Sequence, residues 1–515
     1  MAPSVAAPTP EEIHRAKLAG LRTAGSSGPL PSNVDWVAAL PPEARARYDG
    51  SVRRKPSRTL SGVAVVAVMT APARCPHGRC TYCPGGLENG SPQSYTGEEP
   101  SALRGAQFRW DARAIVKHRV ETLEAIGHPT SKVEVIVMGG TFPSRPRSYQ
   151  EEVFRGVFDG LNGTSSRSLA DAQAQNESAV HRVVGLTVET RPDWCGREVL
   201  PFLLEAGVTR VEVGVECLHD DVLEAVGRAH SSAEVVRATR EARDRGLKVC
   251  YHLMLGLPGM DPDSDLADFE RLWDDSDYRP DLLKIYPTLV LPGTLLYDDW
   301  RAGRYQPYDT EVAAELLARM KRLLPPWVRI QRIQRDIPAR LIAAGVRSSN
   351  LREKALARLR EEGARCRCLR CREAGRRATP PPEAFELTET EYAAGGGRER
   401  FFAWEDPATD TIAGFLRLRF PSGGTEGGLD APVIRELKVV GTEVPVGQEG
   451  SRPSEYQHRG FGAALLEVAE GRVRAEGFAR VYVTSAVGTR EYYRRRGYER
   501  AGPHMAKSLF AGHNP

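Results

Sequence analysis

Cysteine is scarce in this chain, and its scarcity excludes a fold held together by disulfide bonds. Only nine of the 515 residues are cysteines, and six of these nine lie in two short clusters. Secreted domains that depend on disulfides are richer in cysteine and spread it along the chain. Clustered thiols instead indicate metal ligands in a reducing compartment, so we expect a cytoplasmic protein.

Long apolar segments are also lacking. The longest apolar run, 62–73, is well short of the ~18 residues that a membrane-spanning helix needs. The first residues, MAPSVAAPTP, have no basic region followed by an apolar core, which excludes a secretory signal peptide. We therefore expect a soluble protein with no membrane partner.

The small net charge of +4 conceals an uneven distribution. Between Arg319 and Arg377, 18 lysines and arginines stand against five acidic residues, and residues 1–60 hold nine against five. Basic segments on an otherwise acidic chain favour a polyphosphate partner, because clustered cations release the counterions of a nucleic acid. Within this basic segment we expect Arg332 and Arg335 to contact phosphates. Arginine-rich helices that are merely solvated would give the same count.

A chain of this length requires two or three separate cores. Apolar, β-branched segments alternate with helical ones over nearly 280 residues. Six strands are predicted, at 62–69, 133–138, 183–188, 210–215, 248–255 and 282–290. Strands buried on both faces and separated by helices form a parallel sheet. Six such units predict an α/β fold with a partial (β/α)6 barrel, whose chemistry lies at the C-terminal ends of the strands.

The first predicted strand is followed by a cysteine loop, residues 75–83. Cys75, Cys80 and Cys83 have the spacing C-x4-C-x2-C. Thiolates are the soft ligands that iron–sulfur clusters require, and three ligands on a four-iron cluster leave one iron open to a substrate. We therefore predict a [4Fe-4S] cluster of the kind that cleaves S-adenosylmethionine. The alternative is a zinc knuckle with His77 as its fourth ligand.

Small or charged residues follow other predicted strands. Gly139 and Gly140 come after the second strand, and Glu189 and Arg191 come at the end of the third. Paired glycines let the backbone approach a ligand closely, and a glutamate with an arginine can hold a ribose and a carboxylate. Each feature alone is an ordinary turn. Together with the cysteine loop they predict an S-adenosylmethionine site.

The basic segment ends in a second cysteine cluster, formed by Cys366, Cys368 and Cys371. The spacing C-x-C-x2-C suits zinc, with one further ligand from elsewhere in the chain. The candidates for that ligand are a histidine or one of three other cysteines, Cys195, Cys217 and Cys250. Free thiols at a helix end are the alternative.

From about residue 385 the pattern changes to strands joined by turns. Strands are predicted at 401–404, 411–420, 433–440 and 480–486, with one long helix at 460–476. The turn before this helix reads QHRGFG, residues 457–462. A glycine-rich turn at a helix N-terminus offers free N–H groups and a positive dipole to a pyrophosphate.

This C-terminal half resembles the GNAT acetyltransferase fold. In that fold the glycine-rich turn holds acetyl-coenzyme A, and a tyrosine protonates the leaving thiolate. Tyr493 stands at the matching position in REYYRRRGY. The alternative places Tyr492 and Tyr493 in the core as ordinary aromatic residues.

The chain is thus divided into a basic, tRNA-binding N-terminal extension (1–59), a barrel (60–318), a basic linker with a candidate zinc clip (319–384) and a GNAT domain (385–515).

The two halves together resemble the radical SAM tRNA wobble-uridine acetyltransferases, a family that includes the catalytic subunit of Elongator and stand-alone bacterial and archaeal members. The resemblance extends from about Arg53 to Ser508. Its markers include CPHGRCTYCPGG, KVEVIVMGGTF, ETRPDWC, KIYPTLV, PPWVRIQRIQRDIP, QHRGFG and GTREYYRRRGY.

The resemblance implies a radical-SAM barrel followed by a GNAT domain, and a reaction in two halves. The cluster on the cysteine loop would cleave S-adenosylmethionine, and the resulting radical would take a hydrogen atom from the methyl group of acetyl-coenzyme A. The acetyl radical would add to C5 of the wobble uridine, leaving a carboxymethyl group after hydrolysis. The implied partner is a tRNA anticodon loop, whose unpaired base is reachable without melting a duplex.

The resemblance also implies roles for particular residues. Tyr493 and Lys132 would be catalytic, and Gly139 and Gly140 would face the methionine amino group of S-adenosylmethionine, with Glu189 nearby. The residues that would bind acetyl-coenzyme A are Lys132, Glu436, Leu437, Lys438, Val439, Phe461, Gly462, Ala463 and Tyr493.

The sequence departs from the family pattern at two places. Glu216 and Cys217 replace the usual Gln-Ser, and residues 227–230 read GRAH instead of NRGH. A glutamine both donates and accepts hydrogen bonds, whereas a glutamate only accepts. The contacts to S-adenosylmethionine or to the base, and the final nucleoside, are therefore left open.

Two other functions compete with the tRNA-modifying enzyme. A protein lysine acetyltransferase with a structural iron–sulfur cluster would need neither the paired glycines nor the basic segment. A tRNA-binding scaffold with an inactive barrel would be favoured by lost cysteines, yet all three are present. The sequence requires no partner subunit and leaves the oligomeric state open, a homo-oligomer included.

Overall fold

The computed structural model describes residues 9–23, 30–31, 36, 39–41, 59–444 and 455–510. These residues form two seven-stranded sheets, each with its own helices. Most of the predicted N-terminal extension, 1–59, lies outside the described residues. None of the helices in the described ranges is both long and apolar enough to span a membrane.

The first sheet is parallel, and its strands follow one another in chain order. Its strands are β1 (Val63–Met69), β2 (Lys132–Met138), β3 (Arg182–Thr190), β4 (Arg210–Glu216), β5 (Lys248–Leu255), β6 (Leu282–Pro287) and β7 (Arg329–Arg332). The α-helices up to the end of this region are α1 (Pro10–Thr23), α2 (Pro100–Gln107), α3 (Ala112–Ala125), α4 (Arg147–Asn162), α5 (Leu169–Asn176), α6 (Leu200–Glu205), α7 (Asp220–Ala225), α8 (Ser232–Asp244), α9 (Pro262–Asp274), α10 (Leu295–Arg301), α11 (Thr310–Arg322), α12 (Leu351–Glu361) and α13 (Leu369–Arg372).

The six predicted barrel strands are confirmed, except that the last of them ends earlier, at Pro287. Their apolar residues form a single large core with the covering helices, in which Val135 and Val188 from the sheet and Phe154 and Phe158 from α4 are buried. A parallel sheet wound in chain order with helices on its outer face is an open barrel. The C-terminal ends of its strands therefore share one mouth.

The prediction of six strands is wrong by one strand, since β7 extends the sheet. Leu282 and Leu283 of β6 pair with Arg329 and Ile330 of β7. This short strand reads RIQR, and only Ile330 in it is buried. Charged and polar residues at the other positions hide it from a search for apolar runs. It lies inside the segment assigned to the basic linker, whose boundaries stay predictions.

The second sheet is mixed, with the order β13-β14-β12-β11-β10-β9-β8. Its strands are β8 (Glu386–Ala394), β9 (Gly397–Asp406), β10 (Thr411–Phe420), β11 (Val433–Val439), β12 (Arg480–Val483), β13 (Glu499–Ala501) and β14 (His504–Ser508), and its helices are α14 (Phe461–Ala475) and α15 (Arg490–Arg494). Helix α14 packs on this sheet through Leu465, Leu466, Ala469 and Val473, which gives the domain a core of its own.

A cluster of charged side chains is buried where the two sheets' domains meet. The interface charge cluster consists of Arg243, Asp244 and Asp281 from the barrel and Glu399, Arg417, Arg419 and Arg435 from the mixed sheet, all at most 1% exposed. Asp281 accepts two hydrogen bonds of 2.7 Å from the guanidinium of Arg435. Buried charges are tolerated only when they are paired. The cluster therefore links the two domains through paired charges.

Candidate active site

The cysteine loop lies at the mouth of the barrel, directly after β1. Two tight turns shape it, in which the N–H of Gly78 donates to the carbonyl of Cys75 and the N–H of Cys83 donates to that of Cys80. Cys80 and Cys83 are buried and Cys75 is half-buried. The three sulfur atoms do not all lie within 4.8 Å of one another.

Each of the three sulfur atoms has a polar neighbour. His77 Nε2 lies 3.2 Å from Cys80 Sγ, the N–H of Ser94 donates to Cys83 Sγ at 3.2 Å, and the Thr141 hydroxyl lies 3.7 Å from Cys75 Sγ. His77 thus contacts a cysteine from within the loop. Hydrogen bonds to the sulfurs are one means by which a protein tunes an iron–sulfur cluster.

The Gly139-Gly140 turn approaches both β1 and the cysteine loop. Both glycines have positive φ, 138° and 82°. A Cβ on Gly139 would lie 2.1 Å from the Thr70 hydroxyl, and one on Gly140 would lie 3.6 Å from Cys75 Sγ. Gly139 therefore has no room for a side chain. Gly140 places its backbone at the mouth of the barrel, beside the candidate iron ligand Cys75.

Glu189 ends β3 inside the mouth, where other side chains already hold it. It accepts a 2.8 Å hydrogen bond from the Tyr95 hydroxyl and lies 3.7 Å from Lys284 Nζ. Lys284 also pairs with Glu212, deeper in the barrel. Sequence reasoning missed Tyr95 and Lys284. A lysine inside an apolar strand could have been the signal, because lysine is rarely buried unless it is paired.

Two arginines at the mouth have buried donor atoms with no partner in the described part of the chain: Arg191 Nη1 and Arg228 Nε. Arg191 is otherwise paired with Asp193 at 2.8 Å, and Arg228 with Glu216 at 3.0 Å. Unpaired buried N–H groups are costly and favour an anionic ligand. The donor set therefore fits the carboxylate of S-adenosylmethionine.

The departure at residues 216–217 has a clear structural consequence. Glu216 has a left-handed backbone, φ 68°, and forms the ion pair with Arg228 that a glutamine could not form. Burial raises the pKa of Cys217 to about 12, so this thiol stays protonated. Among the described residues, Cys217 belongs to no group of three metal-ligating side chains whose ligand atoms lie within 4.8 Å of one another.

Lys132 lies at the opposite end of β2 from the paired glycines. Seven extended residues place these two ends about 20 Å apart. Lys132 Nζ donates to Gln457 Oε1 at 3.2 Å, and burial lowers its pKa. The structure thus brings Lys132 to the QHRGFG turn of the second domain, and separates it from the cysteine loop.

Strand β11 carries four of the predicted acetyl-coenzyme A residues along a partly open edge. It pairs with β12 only through Val433 and Ile434. Beyond Ile434 no described strand pairs with β11 on this side, so the backbone of 436–439 is open there. Although burial raises the pKa of Glu436, Lys248 and Arg417 outweigh burial and hold that pKa at about 2. This open edge offers peptide groups to an extended, amide-containing ligand.

Gly460 is the last residue of the QHRGFG segment before the helix begins at Phe461, and it has φ 86°. A Cβ at this position would have no neighbour within 4 Å. No described side chain caps the following helix, α14. The Tyr492 hydroxyl would lie 3.3 Å from a Cβ on Gly462, so it faces this turn. Tyr493 instead packs in the core against Tyr498, with ring centroids 5.6 Å apart, and burial raises its pKa.

The second cysteine cluster is compact. The sulfur atoms of Cys366, Cys368 and Cys371 all lie within 4.8 Å of one another. Hydrogen bonds from the other two thiols lower the pKa of Cys368 well below its usual value. The cluster sits between the domains, because the N–H of Leu369 donates to Val328 of the barrel and that of Ala374 donates to Ile412 of β10.

Much of the basic segment is engaged in ion pairs or in the mouth of the barrel. Arg372 is fully buried between Glu405 and Asp410, and Arg332 pairs with Asp336. Arg335 donates to the carbonyl of Ser94 beside the cysteine loop. Only part of the positive charge of the basic segment is therefore exposed to solvent. Arg360 and Arg365 are among its exposed members.

Comparison with known proteins identifies the superfamily of the barrel and relates most of the chain to one family. Residues 70–272 match the model of the radical SAM superfamily, and residues 280–361 match that of the Radical_SAM C-terminal domain. The chain is 44% identical over 490 residues to the tRNA uridine(34) acetyltransferase of Methanocaldococcus jannaschii, covering 93% of this chain and 90% of that one. The chain belongs to this family.

Other members of the tRNA uridine(34) acetyltransferase family extend the similarity to eukaryotes and to a solved structure. Elongator complex protein 3 of Homo sapiens is 42% identical over 494 residues, covering 93% of this chain and 90% of that protein. The archaeal Elp3 of Methanocaldococcus infernus, solved with residues 1–46 deleted, superposes with a TM-score of 0.78 at 40% identity. That match covers 87% of this chain and all of the other.

Membership in the radical SAM superfamily implies a [4Fe-4S] cluster and S-adenosylmethionine. The residues at the mouth fit both. Three cysteines, each with a polar neighbour at its sulfur atom, supply the thiolates, and the unpaired donors of Arg191 and Arg228 supply positive charge. The first sheet is accordingly a radical SAM half-barrel.

Proposed function

We propose that this protein places an acetyl-derived carboxymethyl group on C5 of the wobble uridine of tRNA, with acetyl-coenzyme A as the carbon source. The observation that carries the proposal is 44% identity, across both domains, to a tRNA uridine(34) acetyltransferase. The mixed sheet would be a GNAT domain. Its open β11 edge and its uncapped helix α14 support this assignment.

The two sites have separate tasks in this proposal. When bound, the cluster and S-adenosylmethionine supply the radical chemistry that activates the acetyl methyl group. Cys75, Cys80 and Cys83 hold the cluster, and Gly140 leaves room beside it. Residues 436–439 and 461–463 bind acetyl-coenzyme A. Lys132, which donates to Gln457, positions the QHRGFG turn against the barrel.

Mass spectrometry of tRNA nucleosides tests the function directly. Cells that lack this gene should lack the C5-modified wobble uridine, and the wild-type gene should restore it. A Cys83→Ala gene should fail to restore it, whereas Cys195→Ala, which removes a buried thiol outside both cysteine clusters, should succeed. If the nucleoside is unchanged in the deletion and only acetylated lysines are lost, the protein is a lysine acetyltransferase.

Gly460→Asp should abolish acetyl-coenzyme A binding without unfolding the protein. The side chain meets no neighbour, but its carboxylate would face the pyrophosphate at the N-terminus of α14 and repel it. We expect affinity for acetyl-coenzyme A to fall at least ~30-fold, which corresponds to about 2 kcal/mol. Calorimetric titration measures this. Gly477→Asp, at another positive-φ glycine with no neighbour, is the matched control.

The two adjacent tyrosines should respond differently to removal of the hydroxyl. If Tyr493 is the acid that protonates the leaving thiolate, Tyr493→Phe should slow thiol release by ~10²-fold with unchanged coenzyme affinity. Tyr492→Phe is the companion variant, because its hydroxyl faces Gly462. A rate loss confined to Tyr492→Phe in a tRNA-stimulated hydrolysis assay would transfer the acid role to Tyr492.

Exposed arginines of the basic segment should bind tRNA through phosphates. Arg360→Glu with Arg365→Glu should weaken binding to all tRNAs and reduce the slope of log K against log salt by about 2. The control is Lys117→Glu on α3, which reverses an exposed charge outside the segment. An unchanged salt slope would remove these arginines from the tRNA surface.

The second cysteine cluster is proposed to bind zinc. Three thiols whose sulfur atoms all lie within 4.8 Å suit a single tetrahedral ion, whose Zn–S bonds are ~2.3 Å long. Cys195, Cys217 and Cys250 are not part of this 4.8 Å group, and the further ligand stays open. The proposed ion would fasten α13 between β7 and β10.

A further inference from the structure

A buried lysine lies against the second cysteine cluster. Lys321, near the end of α11, is fully buried, and its Nζ donates to Cys366 Sγ at 3.3 Å. This thiol is the one polar partner that the described part of the chain gives the Lys321 ammonium group, and no carboxylate lies within ion-pair distance. A buried ammonium is costly unless a negative charge compensates it. The sulfur atom of Cys366 is the group placed to compensate it.

A second cation, Arg352, lies near enough to the same thiols to interact with them electrostatically. Arg352 of α12 donates through Nη2 to the carbonyls of Ile330 and Gln331, while its Nη1 is buried without a partner in the described ranges. The proposed zinc site is therefore flanked by two cationic side chains, of which only Lys321 donates a hydrogen bond to a ligand sulfur.

We propose that Lys321 is an outer partner of the proposed zinc site, in which its buried ammonium group donates to the sulfur atom of Cys366 and holds that ligand in place. This inference rests on the zinc site proposed above. The lysine is a positioning residue, because it contacts a metal ligand and not the reacting groups. Outer partners of this kind orient a ligand and stabilise its ionised form.

Zinc affinity, measured by competition with a chelator on the full-length protein, tests the role of Lys321. Lys321→Met should bind zinc 10–100-fold more weakly than the wild type, the usual effect of losing an outer partner. Lys321→Arg, which keeps the charge, should lie closer to the wild type. Arg322→Met is the matched control, since it removes the next cation on the same helix, which pairs with Glu362 at the surface.

A second readout separates a charge partner from a merely structural residue. In metal-depleted protein, Lys321→Met should unfold at the same temperature as the wild type or higher, because it removes a buried charge. With zinc present, the wild type should be the more stable. A structural role alone would lower the melting temperature in both states. Lys321→Gln serves the same comparison if the methionine variant does not fold.

The two proposals fail in different ways. A wild-type protein that binds zinc no better than Cys368→Ser would overturn the zinc site, and the role of Lys321 with it. A Lys321→Met protein with wild-type zinc affinity, beside a Cys368→Ser protein that has lost it, would overturn the role of Lys321 alone.

Discussion

Cys80→Ser should abolish formation of the modified uridine and leave acetyl-coenzyme A binding within about twofold of the wild type. A serine hydroxyl is a hard, protonated group and a poor ligand for iron, so the cluster should be lost. Cys80 is buried in the cysteine loop against His77. The candidate coenzyme site lies at the other end of the barrel and on the mixed sheet, which has its own core.

Iron analysis, nucleoside mass spectrometry and calorimetry on the same preparation measure the three quantities. The matched control is Cys195→Ser. Cys195 is buried outside both cysteine clusters, so its replacement should leave the iron ligands in place. This control should keep its iron and its product. Normal amounts of modified uridine from Cys80→Ser would refute the radical mechanism.

Asp281→Asn should destabilise the protein by about 3–5 kcal/mol, the usual cost of removing one partner from a buried ion pair. Asp281 is fully buried and accepts hydrogen bonds from Arg435 on the mixed sheet, from Arg243 on α8 and from the N–H of Val249. The asparagine keeps the shape but leaves the arginines with unbalanced charge. Thermal unfolding should begin several degrees lower, and domain transitions that coincide in the wild type should separate.

Asp274→Asn is the control for this substitution, because Asp274 is exposed at the end of α9. It should change the melting temperature by less than a degree. Wild-type stability and a single transition in Asp281→Asn would show that the interface charge cluster does not hold the domains together.

The same residue predicts the response to acid. Burial raises the pKa of Asp281, but Arg243 and Arg435 outweigh burial and hold it well below its usual value. A carboxylate with a lowered pKa stabilises the fold above the pKa of the unfolded chain, ~3.9, and this stabilisation is lost as the pH falls further. The melting temperature of the wild type should therefore fall more steeply from pH 5 to pH 3 than that of Asp281→Asn.

The sequence by itself determined the barrel strands and both cysteine clusters. Short β-branched runs such as VEVIVM, bounded by turn residues, predict strands, and β-branching is a local property of the chain. The ligand spacing C-x4-C-x2-C is equally local. The glycine turns were also visible, because Gly139 and Gly140 directly follow a strand.

Only the tertiary structure decided which side chains meet. Strand β7 is short and charged, so it has no apolar signature, and it is a strand because Leu282 and Leu283 pair with it. The order of Tyr492 and Tyr493 in the sequence does not reveal which hydroxyl faces Gly462. Asp281 and Arg435 are separated by 154 residues, Arg243 and Glu399 by 156, and Asp244 and Arg419 by 175. Pairing between charges that are distant in the sequence leaves no periodic pattern. The interface charge cluster and the contact of Lys321 with Cys366 are therefore visible only in the folded chain.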